Sequence, residues 1–159
     1  MRLLLLGPPA VASGHDLIAL AAERRSQLLA FLALRGVWVA RAEIAAMLWP
    51  EQPAKLAFTN LRKALFRLQS LAGAAPVEAS GQSLRVVVAT DVAEFDQAIR
   101  EGRHRDAIDL YRGDLLQGFE DESSEAWTGW LRFERDRLRA AWRGVALARL
   151  AGEIEPAEA

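Results

Sequence analysis

Six side chains in one short stretch carry the chemistry needed to grip a polyanion. Lys55, Thr59, Asn60, Arg62, Lys63 and Arg67 lie in PAKLAFTNLRKALFRLQSL (residues 53–71), and no Asp or Glu occurs between Lys55 and Leu71. At about 100° per residue, Ala57, Leu61, Ala64, Leu65 and Leu68 fall on one side of a helix. Lys55, Thr59, Lys63, Arg67 and Ser70 fall on the other, with Asn60 and Arg62 on the flanks. Arg and Lys bind phosphate oxygens or the major-groove edge of guanine, and Asn matches adenine. This pattern suits a helix laid in a DNA major groove, with its apolar side anchored to a domain. Taken alone, a basic helix face is more often plain solvated surface; the neighbouring segments decide between the two.

Other chemistry finds little support. The chain has no cysteine, which excludes disulfides, thiolate metal sites and a cysteine nucleophile. His15 and His104 each stand by a turn without a second ligand at metal spacing, so no metal is expected. The acids Glu120, Asp121, Glu122 and Glu125 have no His, Lys or Ser constellation beside them and read as a solubilising loop. There is no glycine-rich phosphate loop or dinucleotide fingerprint. No enzyme activity and no cofactor are expected. The five tryptophans, Trp38, Trp49, Trp127, Trp130 and Trp142, read as core.

The elements that must position the basic stretch can be read from pattern. Residues 2–6, 10–12 and 16–20 read as short strands broken by Gly7-Pro8-Pro9 and Ser13-Gly14. Residues 23–34 read as a helix stopped by Gly36. Residues 41–49 read as a second helix ended by Pro50, which opens at Arg41 without a Ser or Thr cap because Ala40 precedes it. The basic helix follows within a few residues, with Gly73 as its stop. Residues 77–88 read as a hairpin turning at Gly81-Gln82. This order is that of a winged helix-turn-helix. Gln82, Ser83 and Arg85 on the hairpin are candidate phosphate contacts, as are Arg41 at a helix N-terminus, Lys55 and Arg62. Lys63 and Arg67 are groove or phosphate candidates. Thr59 and Asn60 either read bases or bond locally. Phe66 projects toward the polar face, where a thymine methyl, the hairpin or another subunit would suit it.

Charge divides the chain. Residues 1–90 hold ten Lys/Arg against five Asp/Glu, and residues 91–159 hold ten against sixteen. The expected organisation is an α+β winged-helix domain over 1–90 and the start of an all-α, tetratricopeptide-like helical-repeat region over 91–159. Helices are expected at 92–101, 105–111 and 125–150. So few helix pairs leave a repeat face uncovered, which suggests a piece of a longer protein. The initial Leu run is too short to span a membrane, no signal peptide is recognisable, and a cytoplasmic location is expected.

The segments RRSQLLAFLALRG (24–36), RAEIAAMLWPE (41–51), NLRKALFRL (60–68), GQSLRVVVATDVAEFDQAI (81–99), DAIDLYRGDLLQGF (106–119) and WLRFERDRLR (130–139) occur in a specific order. Together they resemble the SARP/AfsR-type bacterial transcriptional regulators, which join an OmpR/PhoB-like winged helix to a tetratricopeptide-like bacterial transcriptional activator domain (BTAD). The resemblance implies transcription regulation through double-stranded DNA at direct-repeat promoter sites, as a homodimer on DNA, with RNA polymerase as a further partner. Phe58 and Phe66 stand where the family often has Arg and a small polar residue, so the resemblance bears less on which sequence is read. The alternative is a protein–protein interaction module on the same scaffold that does not bind DNA.

Overall fold

A computed structural model describes residues 1–71 and 77–154. Among these residues it contains two small sheets and six helices. The expected stop at Gly73, and the end of the basic stretch at residue 72, lie outside the described residues.

Strands β1 (Arg2–Leu4), β2 (Ala10–Ser13) and β3 (Asp16–Ala19) form an antiparallel meander. Helix α1 (Arg24–Arg35) ends where expected. Gly36 adopts φ 61°, a left-handed turn that only glycine takes without strain, and its N–H reaches the Leu32 carbonyl at 3.0 Å. The two-residue strand β4 (Val39–Ala40) leads into α2 (Arg41–Leu48), and a turn over residues 49–53 leads into α3 (Ala54–Leu68). The hairpin of β5 (Val77–Ser80) and β6 (Ser83–Val86) turns at Gly81-Gln82, and β6 also pairs with β4. The missing cap at Ala40 is offset from this hairpin. The Arg41 N–H, one of the four donors a helix start leaves open, bonds the Gln82 carbonyl at 2.8 Å.

Strand β7 (Ala89–Thr90) returns to pair parallel with β1, giving the sheet order β3-β2-β1-β7. Thr90 then caps α4 (Asp91–Arg100), its Oγ1 accepting from the Ala93 N–H at 3.0 Å. Helix α5 (His104–Leu110) and the 30-residue α6 (Glu125–Ile154) complete the chain. One hydrophobic core runs through both halves: Leu3, Leu5, Phe31, Leu32, Ile44, Leu61, Val86, Phe95, Trp127 and Leu138 belong to the same buried cluster.

Three devices fasten the helical half to the sheet. The Asp91 carboxylate, 1% exposed, accepts from the backbone N–H groups of Leu5 and Leu6 at 2.8 and 3.0 Å, beyond the end of β1. The segment after α5 lies against the same place. The Gly7 N–H donates to the Asp114 carbonyl and the Leu116 N–H to the Leu5 carbonyl. Gly113 is needed there for space, since a Cβ on it would come within 3.2 Å of the Gly7 Cα. Finally, Arg139 from α6 holds both oxygens of Asp114, and Arg135 bonds the carbonyls of Leu115 and Leu116.

Two expectations are corrected. Trp38 is not core: it is 42% exposed, and the Arg85 guanidinium lies 4.5 Å from its ring centre. The acidic segment 118–124 is not merely solubilising. The Asp121 carboxylate takes bonds from Arg24, Gln27 and Ser123, and its carbonyl accepts from the Thr128 hydroxyl. Burial works against the Asp121 charge, yet the bonds from Ser123, Arg24 and Gln27 outweigh it and hold that carboxyl far below the ordinary range. Ser124, buried, donates to the Met47 carbonyl near the end of α2 and accepts from the Trp127 N–H. The loop is a clasp between the two halves.

Candidate nucleic-acid interface

Helix α3 buries Ala57, Leu61, Ala64 and Leu68 and turns its other faces outward. Those faces form three strips. Along the crest, Lys55, Lys63 and Phe66 are exposed, and Thr59 is half-buried. Thr59 is engaged locally: its hydroxyl donates to the Lys55 carbonyl at 3.0 Å and accepts from Arg62 at 3.3 Å. Serine and threonine commonly bond back within a helix in this way. It also fixes the direction of the Arg62 side chain.

One flank faces the hairpin. Phe58 and Arg62 of α3, Arg41 at the start of α2, and Gly81 and Gln82 at the hairpin tip line a hollow of about 390 Å³. Two guanidinium groups and a helix N-terminus share this hollow, an arrangement that suits a phosphate. The other flank faces α1. Asn60, Lys63 and Arg67 line a groove of about 780 Å³ whose far wall carries Arg24, Arg25, Glu120 and Asp121. Arg25 reaches across at the far end of α3 to the Arg67 carbonyl at 3.2 Å and the Ser70 hydroxyl at 2.9 Å.

Seven of the ten residues singled out by sequence therefore border one surface: Lys55, Thr59, Asn60, Arg62, Lys63, Arg67 and Arg41. Gln82 joins them through the hairpin tip. Ser83 is half-buried at the start of β6, paired with Ala40 and Ser80. Arg85 is held by Glu78 at 2.6 Å and stacked on Trp38. Arg24 and Arg25, outside the basic stretch, stand opposite α3. Their place depends on how α1 packs, which local pattern does not encode.

The electrostatics of this surface differ from those of the rest of residues 1–90. Of the ten basic side chains there, Arg2, Arg24, Arg25, Arg35 and Arg85 pair with carboxylates. The other five are Arg41, Lys55, Arg62, Lys63 and Arg67, and among the described residues none of them has an ion-pair partner. All five lie on α2 or α3. Unpaired like charges on one face project a field into solvent that attracts a polyanion.

The fold has a solved counterpart. EmbR of Mycobacterium tuberculosis, in complex with a low-affinity phosphopeptide, matches with a TM-score of 0.67 over 96% of this chain at 16% sequence identity. The two share a fold. The match takes up 46% of the EmbR chain, so this chain spans about half the length of that structure. No family profile and no curated protein matches the sequence. Among the described residues there is no cluster of His, Cys, Asp or Glu able to hold a metal, and no helix is long and apolar enough to cross a membrane.

Proposed function

We propose that the chain is a DNA-binding transcriptional regulator of the SARP type. Residues 1–90 form its winged helix-turn-helix, and residues 91–159 begin its BTAD-like helical region. Helix α3 enters the major groove, and the β5–β6 hairpin lies along the backbone as the wing. The observation that carries the reading is the segregation of unpaired cations within residues 1–90: there, among the described residues, the five without an ion pair all lie on α2 and α3, close together around one helix. The likeness in fold to EmbR, a SARP-family regulator, supports the same reading.

Each residue then has a role. Arg41, Arg62 and Gln82 clamp a phosphate between the α2 start and the wing tip. Lys55 holds a second phosphate. Lys63 and Arg67 reach base edges or the opposite backbone, and Asn60 is the adenine reader on that flank. Thr59 acts by orienting Arg62. Ser83 supports the wing tip, and Arg85 stiffens the wing against Trp38. Protomers bind direct repeats in tandem, and the helical region meets RNA polymerase.

The test is binding to a pool of duplex DNA across a salt series. Each neutralised phosphate adds about −0.9 to the slope of log affinity against log salt. Lys63→Ala/Arg67→Ala is expected to reduce the slope by about 2. Because both side chains are exposed, its unfolding free energy should stay within about 0.5 kcal/mol of the parent. An absence of salt-dependent binding at every sequence would overturn the reading.

A further inference from the structure

Phe66 is 75% exposed, more than any other large apolar side chain among the described residues. It contributes nothing to the core face of α3, which is made by Ala57, Leu61, Ala64 and Leu68. Its neighbours one turn back are Arg62 and Lys63, and one turn on are Gln69 and Ser70. Helix α3 contains no acid at all. A phenyl ring thus stands on the crest of a cationic helix without touching the hairpin hollow or the α1 groove, neither of which it lines.

The occupant of such a crest must satisfy two demands at once. The surrounding cations require a dense array of negative charge, and the ring requires an apolar group set within that array. On the floor of the major groove one base edge offers this: thymine, through its C5 methyl group. An acidic protein surface meets the first demand but has no reason to place its apolar group at the centre of a helix-wide groove flanked by anions on both sides.

We propose that Phe66 is a specificity-determining residue that packs its ring on the C5 methyl of a thymine. The inference rests on the DNA-binding reading above, and its test separates the two. Sequences bound by the full chain are first selected from random duplex DNA. Each thymine of the preferred site is then replaced in turn by deoxyuridine, which keeps every hydrogen-bonding atom and removes only the methyl. Affinities are measured at fixed salt for the parent chain and for Phe66→Ser, whose fold is checked by circular dichroism.

The expected result is one thymine at which uracil weakens the parent about fourfold, the worth of one buried methyl, with Phe66→Ser binding both forms equally. If the parent binds DNA but tolerates uracil at every position, or if Phe66→Ser still discriminates, the assignment of Phe66 is wrong and the DNA reading stands. If duplex DNA is bound but no sequence is preferred, the assignment of Phe66 alone falls; if no duplex is bound in a salt-dependent way, both fall. The same holds if Phe66→Ser instead abolishes self-association in sedimentation while DNA binding is absent; the ring would then belong to a protein contact.

Discussion

Along α6, Arg135, Arg137 and Arg139 each meet an acid or a carbonyl of the segments beneath them. Along α3, Lys55, Arg62, Lys63 and Arg67 meet no carboxylate among the described residues. Both helices are amphipathic and rich in basic residues, but α6 also carries Glu125, Glu134, Asp136 and Glu153, whereas α3 carries no acid. On α6 these three charges are neutralised in place and hold the 112–121 segment and α4, while Arg132 and Arg143 form no ion pair among the described residues. On α3 the charge stays outward, where its only return is a field. Basic residues therefore mark a binding face only when the fold leaves them without partners.

The strongest challenge to this division comes from the fold side. Asp91→Ala would leave the N–H groups of Leu5 and Leu6 buried without acceptors. Each such loss costs on the order of 1–3 kcal/mol, so a destabilisation of roughly 3 kcal/mol is expected in urea unfolding. A change under about 0.5 kcal/mol would mean that water or rearrangement replaces the carboxylate, and that the joint is weaker than its geometry.

Acid sharpens the same comparison. The bond from Arg139 holds the Asp114 carboxyl below its ordinary range, and Asp121 is lowered further. A carboxyl lowered by folding contributes stability that is complete above its unfolded value, near 4, and is lost as pH falls toward its folded one. The urea midpoint should be flat from about pH 7 to 5 and fall below about 4. Asp121→Asn should make that acid limb shallower. A drop already between about pH 7 and 6 would assign the effect to histidine instead.

The smallest effect is expected at the β5–β6 hairpin. Arg85→Ala removes an exposed ion pair with Glu78 and the stack on Trp38. It should cost under about 1 kcal/mol and leave the DNA salt slope nearly unchanged. A fall in that slope comparable to the loss of Lys63 would place Arg85 among the phosphate contacts after all.

Much of this was legible in sequence where the information is local. The α3 stripe, the Gly36 stop and the turn at Gly81-Gln82 follow from periodicity and from what glycine permits. The parallel pairing of β7 with β1 was not legible. It joins residues nearly ninety positions apart through two-residue contacts that carry no alternation to read. The acidic clasp was missed because Glu and Asp in a loop look solvated until the arginine and glutamine they meet are placed by α1. The candidate surface was legible in its members but not in its partners, since pairing is a property of packing.

Ser124 has a mechanical consequence. Its single hydroxyl ties the first turn of α6 to the Met47 carbonyl of α2. A straight helix of 30 residues is about 45 Å long at 1.5 Å per residue. Tied at Ser124 at its start and by Arg135, Arg137 and Arg139 further along, it is a braced strut that runs from α2, beside the basic helix, to the segments around Asp96 and Asp114.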